Sequence, residues 1–479
     1  MTLLRLLAWS ALAVAALPAG RAAAQEPTKL PQTPRTNAIT EFRDGRGIDK
    51  TQLKAAQTDF ANFAKYYADL VSHPLIHKAA QDPGLKQDAN GREIPNVDSM
   101  IKDLGRFLLD PNPAVRTSSD DPRPKVRDWN ADYIRELGAA FDSALKPLVE
   151  THPERVVRVN AARLYAAVCT TGANAHWPTV TAWVANPNTP TEIKYYALQA
   201  AANLLDAYDV FDYRSRRHAF TVEPRSAANK QIGELVAAVQ ACVTNPNALV
   251  PLTDGKVENA TTDQLQVVGF VRRQAIKTLG RCRFVTLPGP TGAPIYPAHT
   301  LARVCVSDPA LVPAPGPADC GEAVIGLCNM APVVNGTPVK GYNGDAVAEA
   351  VAAGIITFAG PRASNPLDRS LPWRGYAMRM NDAFRNWRPL FDPLYDPSFA
   401  TKFEAQLTPK PVADIVARVQ TSILAPMDKV DASGKPDLAA RVDIEGMKAF
   451  LKQLQSNPKR SNELIIGVPA TALPRVEAK

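Results

Sequence analysis

The sequence predicts an all-α protein built as a superhelix of stacked helix pairs, and three observations predict it. First, one run recurs: a β-branched residue, a basic residue, then small and apolar positions. It stands as Val157-Arg158-Val159-Asn160-Ala161-Ala162-Arg163-Leu164, as Ile193-Lys194-Tyr195-Tyr196-Ala197-Leu198-Gln199-Ala200, and as Val271-Arg272-Arg273-Gln274-Ala275-Ile276-Lys277-Thr278. Second, Ala161, Ala197 and Ala275 lie 36 and then 78 residues apart, which is one and two steps of the roughly 40-residue period of paired-helix repeats. Third, apolar residues recur every three or four positions in segments separated by Pro, Asn, Asp or Gly.

The elements follow in order. Arg5, the apolar stretch Leu6 to Leu17, the breakers Pro18 and Gly20, and Ala22-Ala23-Ala24 before Gln25 have the layout of an export signal over 1–24, with cleavage after Ala24. The alternative, an uncleaved anchor helix, is opposed by Pro18 and by the small residues at the cleavage point. Residues 25–48, with Pro27, Pro31 and Pro34, read as an extended leader. Asp49 then caps a helix carrying Leu53, Ala56, Phe60, Phe63, Ala64, Tyr67, Leu70 and Val71, which ends at His73-Pro74. A polar loop at 82–96 precedes a helix through Met100, Ile101, Leu104 and Leu108, and Trp129 to Leu148 mark a longer one.

Further helices are expected near 154–170, 177–186, 191–208, 227–243 and 263–283. Eight prolines between 285 and 319 exclude a regular helix there and predict an insertion around one short segment, His299 to Val306. Two small-residue helices follow, near 319–330 and 344–359, where Gly321, Gly326 and Gly354 allow close packing. From Pro361 the chain reads as an irregular C-terminal cap, with helices near 374–388, 411–424 and 440–455 and an extended tail.

Where the recurring run follows a Pro- or Asp-rich turn, as at Pro153, at Pro190 and at Asp110-Pro111-Asn112-Pro113-Ala114-Val115-Arg116, the chain resembles HEAT and armadillo-like repeat proteins. The resemblance covers residues 100–360. It implies a HEAT-like repeat domain over 49–360, with the Pro-rich insertion inside it and 361–479 as cap and tail. By association only, it implies a scaffold that binds a protein partner.

Composition narrows the function classes. With 479 residues, 46% hydrophobic and 21% charged, the chain is neither largely disordered nor a polytopic membrane protein, and no apolar stretch after the signal escapes interruption by charge or proline. Net charge is +8, or +6 without Arg5 and Arg21. That is too little over so long a surface to point to nucleic acid, but it is compatible with an acidic partner or an anionic envelope polymer. Export would place the chain in the periplasm or outside the cell.

Export also makes disulfides possible, and six cysteines allow fifteen complete pairings. Cys169 and Cys242 fall late in apolar helices and read as core residues. Cys282, Cys305, Cys320 and Cys328 flank the Pro-rich segment. Cys320 and Cys328 on one helix lie about 12 Å apart, too far to pair, so a bridge across the loop, Cys305 to Cys320, is the expected one.

No Cys-x-x-Cys, Gly-x-Ser-x-Gly, phosphate loop or dinucleotide fingerprint occurs, and no cofactor or metal is expected. His73 and His77 are four apart but interrupted by Pro74 and lack a third ligand. The acidic groups Ser118-Ser119-Asp120-Asp121 and Asp206, Asp209 and Asp212 do not follow the order of a calcium loop, while Asp392-Pro393 and Asp396-Pro397 read as helix starts. An enzyme is disfavoured, although a site assembled across repeats remains the third alternative.

The most distinctive local chemistry is Trp373 to Arg388. On a helix, Trp373, Tyr376, Met380, Phe384 and Trp387 make one stripe with Arg374, Arg385 and Arg388 beside it. Such residues suit a partner hot spot, but the stronger reading is a terminal cap with the rings inside.

Overall fold

In the computed structural model, which describes residues 28–43, 50–108, 125–207, 225–252, 256–330, 333–334, 337–386, 410–435, 437, 441–456 and 460–475, nearly all regular structure is helical. The helices are α1 (Asn37–Arg43), α2 (Lys50–Val71), α3 (Pro74–Gln81), α4 (Val97–Leu108), α5 (Lys125–Thr151), α6 (Arg155–Val168), α7 (His176–Ala185) and α8 (Thr191–Ala207). There follow α9 (Arg225–Thr244), α10 (Thr262–Leu279), α11 (Pro297–Cys305), α12 (Pro317–Cys328), α13 (Gly344–Ser364) and α14 (Trp373–Asn386). Last come α15 (Lys410–Val419), continued through a π turn into α16 (Ala425–Asp428), and α17 (Ile444–Gln455). Strand is confined among the described residues to two two-residue ribbons, Leu287–Pro288 with Pro294–Ile295 and Val333–Val334 with Thr337–Pro338, and to isolated bridges.

Alternate helices touch. One set of contacts runs α2 to α5, α5 to α7, α7 to α9, α9 to α11 and α11 to α13, and the other runs α4 to α6, α6 to α8, α8 to α10, α10 to α12 and α12 to α14. Consecutive helices α5 and α6, α7 and α8, α9 and α10, and α11 and α12 also pack together. Val157, Ala161, Ala197, Val271 and Ala275 are all buried at these contacts, and the small residue at the register position is what lets neighbouring backbones approach.

The basic residue one turn earlier has its own task. Lys194 is fully buried, and its Nζ donates to Asn186 O (2.6 Å), at the C-cap of α7, and to Ala248 O (2.7 Å), in the turn after α9. Arg272 stands at the equivalent place on α10 and is 2% exposed. It donates to Pro313 O and Ala314 O and pairs with Asp319 Oδ2 at 3.2 Å, while Arg273 Nε takes Asp319 Oδ1 at 3.0 Å. Asp319 also accepts from Gly316 N (3.1 Å), closing the first turn of α12. Side chains tie the second set of helices directly as well: Asn203 on α8 donates to Ala166 O on α6 (2.7 Å), and Thr278 on α10 donates to Leu198 O on α8 (2.9 Å).

Several elements differ from the sequence expectation. The leader is not extended throughout, because α1 forms and its fully buried Ile39 packs in the core. Leu30 is also held, its N–H donating to Asp88 in the 82–96 loop at 3.0 Å. The Pro-rich segment is not simply an insertion: α11 begins at Pro297 and takes its place between α9 and α13, since proline is suited to the first helical turn. The tail over 460–475 is not extended either. It folds back through a Tyr342 to Ile465 bridge and through Asn343 Nδ2, which donates to Ser461 O (3.0 Å) and Glu463 O (2.8 Å). The export signal over 1–24, the cap Asp49, the turn at Asp110 to Arg116, the acidic run Ser118 to Asp121, Asp209, Asp212 and the Asp392 and Asp396 turns lie outside the described residues.

The core changes character along the chain. Phe60, Phe63, Tyr67, Phe107, Tyr133 and Phe141 form an edge-to-face aromatic cluster near the start. Further on, small residues take over. Gly280 and Gly326 meet where α10 gives way to a turn against α12, and a Cβ on either would stand 2.7 Å from the other's Cα, so neither position admits a side chain without displacing a backbone. Gly354 likewise faces Val324 and Cys305. α13 is long and apolar enough to cross a membrane, but 72% of its apolar window is buried within the fold, and its Glu349 is paired with Arg460 at 2.9 Å.

Asp319→Ala should therefore cost about 3–5 kcal/mol in urea unfolding, because it leaves Arg272 buried without its counter-charge. A loss below about 1 kcal/mol would mean that the two loop carbonyls alone satisfy the guanidinium.

Candidate functional site

The aromatic stripe of α14 is laid inward. Trp373 and Tyr376 are each 7% exposed and Phe384 is 1% exposed, because α14 packs along α12 with its apolar face toward α12 and α13. Phe358 of α13 receives both the Trp373 and Tyr376 rings, at centroid distances of 5.2 and 5.3 Å, and Trp373 Nε1 donates to Asp368 O at 2.9 Å. Arg374 points the other way and makes a surface pair with Asp428 at 2.9 Å. The Arg385 side chain, Trp387 and Arg388 lie outside the described residues. The described part of the stripe is thus core rather than an exposed hot spot.

Arg379 is the arginine of this helix that reaches α12. It forms a two-pronged pair with Glu322 of α12, Nη1 to Oε1 at 2.7 Å and Nη2 to Oε2. That bond to Glu322 raises the guanidinium pKa against the effect of burial, and burial followed by Glu322 raises the neighbouring Tyr376 hydroxyl.

Beside this pair a cavity of about 210 Å³ opens between α10, α12 and α14. Its floor is the Gly280–Gly326 contact. Lys277, Arg281 and Arg283 enter from α10 and the turn after it, Glu322 and Asn329 from α12, and Arg379 and Asp382 from α14. Arg281 is paired with Asp206 of α8 at 3.2 Å, whereas Lys277 has no hydrogen bond or ion pair among the described residues. Farther up the same face of α10, Phe270 is 57% exposed and stacks on Tyr195 of α8, 17° from parallel at 5.1 Å. Helical spacing puts Phe270, Arg273, Lys277 and Arg281 in one line.

Two larger cavities lie at the other end of the chain. One, of about 520 Å³, sits between the 82–96 loop and α6, where Arg163 is paired with Asp98 at 2.6 Å; the other, of about 410 Å³, lies between residues 31–35 and α2. Neither gathers several like charges as the α10–α12–α14 cavity does.

The remaining candidates are structural. Cys305 and Cys320 are not bridged: all six cysteines are buried free thiols. Cys320 Sγ donates to Val304 O at 3.5 Å, and the Cys305 Sγ lies against Gly354, so each sulfur is occupied by helix packing. Burial pushes the Cys320 thiol up to about 12. His73 caps α3, its Nδ1 accepting from Leu75 N and its Nε2 bonded to Lys29 O. No cluster of His, Cys, Asp and Glu suited to a metal is found among the described residues.

One buried relay has no signal in the sequence. His176 Nδ1 meets Tyr165 Oη at 3.1 Å, Tyr165 donates to Asp142 at 2.5 Å, and Thr179 donates to the same Asp142 oxygen at 2.9 Å. The set joins α5, α6 and α7, and His176 is fully buried. Its Nε2 has no partner, so a second ring proton would be an unsatisfied buried donor. Burial accordingly lowers the imidazole pKa to about 4, against a smaller opposing effect of Asp142.

Compared with protein-family models, with curated proteins and with solved structures, the chain finds no match.

Two outcomes are expected. Phe384→Ala should destabilise the protein by about 3–5 kcal/mol, whereas Arg374→Ala, at an exposed pair, should shift stability by less than about 1 kcal/mol. Thermal or urea unfolding of both variants checks the inward orientation of α14. For His176, the folded-state pKa lies below the unfolded value near 6.5, so the unfolded chain binds the extra proton first. Its stabilisation is complete above pH 6.5 and is lost as pH falls toward 4, by about 3 kcal/mol. Urea titrations at pH 7 and pH 4.5 should therefore show a smaller drop for His176→Phe than for the parent chain.

Proposed function

We propose that the chain is an exported α-α superhelix of the HEAT type that binds a protein partner in the periplasm or cell envelope. The superhelix reading is supported by the two sets of alternate-helix contacts and by the buried cation at one register position of α8 and α10, which reaches forward to the next hairpin each time. Export rests on the arrangement of residues 1–24. The observation that carries partner binding is the line on α10, where a 57% exposed Phe270 stacked on Tyr195 continues into Lys277 and the basic cavity. Aromatic and arginine groups on a fixed helical surface are what protein interfaces draw on most heavily.

An anionic envelope polymer is the second reading, favoured by the four basic side chains around the cavity. Against it stand Glu322 and Asp382 in the same wall, which a chain of closely spaced phosphates would have to pass.

Site-specific photocrosslinking in the native cell tests the proposal. A benzophenone side chain at position 270 should give a discrete protein adduct that the same group at Lys230, exposed on α9, does not. No protein adduct at 270, or the same adduct from both positions, would overturn it.

A further inference from the structure

We infer that the cavity of about 410 Å³ between residues 31–35 and α2 is a binding site for a neutral sugar, with ring hydroxyls taken by Asp59, Asn62 and Arg35 and the C–H face of the ring laid on Tyr66. The site shares no residue with the Phe270 surface and does not depend on the partner-binding reading.

The chain builds this hollow by anchoring the 31–35 segment on both sides. Before it, Leu30 N–H donates to Asp88 at 3.0 Å and Arg92 Nη1 donates to Pro31 O at 3.0 Å. After it, the fully buried Ile39 fixes α1 against α2. Pro31 and Pro34 have no N–H to give, and no main-chain hydrogen bond joins 32–35 to α2. The segment is therefore held beside α2 without closing onto it. On the helix, Asp59, Asn62, Tyr66 and Asp69 recur at three and four residues, so they share the face that meets the segment.

The free hydrogen-bonding groups select the ligand. A sugar hydroxyl both donates and accepts; Asp59 offers acceptors, Arg35 a fork of donors, and Asn62 and Gln32 offer both. None of these four side chains has a hydrogen bond or ion pair among the described residues. The two oxygens of a carboxylate, or two N–H groups of a guanidinium, can serve neighbouring hydroxyls at once, which favours a ring with adjacent hydroxyls over an isolated alcohol. The charged groups in the wall are Arg35 and Lys65 against Asp59 and Asp69, with Lys65 paired to Asp69 at 2.7 Å, so neither an anion nor a cation is preferred. A free amino acid is also neutral, but its hydrocarbon side chain would cover the Asn62 and Gln32 amides without giving them partners.

Tyr66 supplies the apolar contact. Its ring is half-buried and set edge-on to Tyr67 at 5.4 Å, which fixes it in the wall, where the C–H face of a sugar can shed water against it. At about 410 Å³ the cavity falls within the about 300–1,000 Å³ typical of small-molecule sites.

Isothermal titration calorimetry on the full chain tests this with D-glucose, D-galactose, D-mannose, N-acetyl-D-glucosamine and cellobiose, each to about 10 mM. At least one of these sugars should bind saturably. Asp59→Asn, nearly isosteric and at a half-buried position on the helix, should keep the melting temperature and lower affinity for that sugar about tenfold. Arg35→Gln, on the exposed segment, should do the same, and it carries the test if Asp59→Asn lowers the melting temperature; Lys230→Gln should leave affinity unchanged. Saturation with none of the sugars, undiminished affinity in both Asp59→Asn and Arg35→Gln, or an equal loss from Lys230→Gln would each overturn the site. Saturation by free leucine or by inorganic phosphate where the sugars fail would assign the cavity to another class of ligand and overturn the sugar reading.

Discussion

Burying a cation costs several kcal/mol unless the site returns the hydrogen bonds that water supplied; this fold returns two to Lys194 and three to Arg272 at one register position, leaving the Arg272 Nε without a partner. Lys194 and Arg272 each stand three residues before the alanine that marks closest helix approach, which is one turn away on the same face. Both spend their protons on main-chain carbonyls that have no helical partner. Asn186 is the C-cap of α7, where the partial negative charge of a helix end favours a cation. Pro313 and Ala314 lie in the loop ahead of α12 and belong to no sheet. Lys194 thereby joins the end of α7 to the turn after α9, and Arg272 joins α10 to the loop ahead of α12.

Beyond α9, several helix contacts are made at glycine. The closest approaches run through glycine: Gly280 meets Gly326, and Gly321 and Gly354 lie against Phe358 and Val324. α12 shows the limit: it touches α10, α11, α13 and α14, and every residue from Ala318 to Cys328 is buried, Asp319 and Glu322 included. Such a helix can keep charged groups only where each has a partner, and these two are met by Arg272, Arg273 and Arg379. The cavity is a by-product of the same close approach, since the Gly280–Gly326 contact leaves a hollow that bulkier residues would have filled.

What could be read from the residues, and what could not, follows the range of the interactions. The core faces of α6, α8 and α10 are legible because a 3.6-residue period repeats within a dozen positions. Proline count misled over 285–319, where Pro297 and Pro317 open helices and the chain stays in the row; composition records how often a breaker occurs and not whether it stands at a first turn. The Cys305–Cys320 expectation failed because cysteine is also a small apolar residue, and the packing of α11 against α12 and α13 uses it as one. The α14 stripe was visible as a stripe, but its direction depends on Phe358, in another helix. The cavity had no local trace: Lys277 and Arg379 are a hundred residues apart, and only the succession α10, α12, α14 brings them together.

α10 divides its two faces between the core and the surface. Val268, Val271, Arg272, Ala275 and Leu279 are buried and fix its height and rotation against α8 and α12. Phe270, Arg273 and Lys277 occupy the opposite face, with Arg281 just past its end, and among the described residues Arg273 and Arg281 contribute to ion pairs. Because the inner face determines where the outer side chains stand, the distance from the Phe270 ring to the cavity is set by helix rise rather than by a loop. Changes on the outer face can then leave the inner contacts of α10, and its buried Arg272, in place.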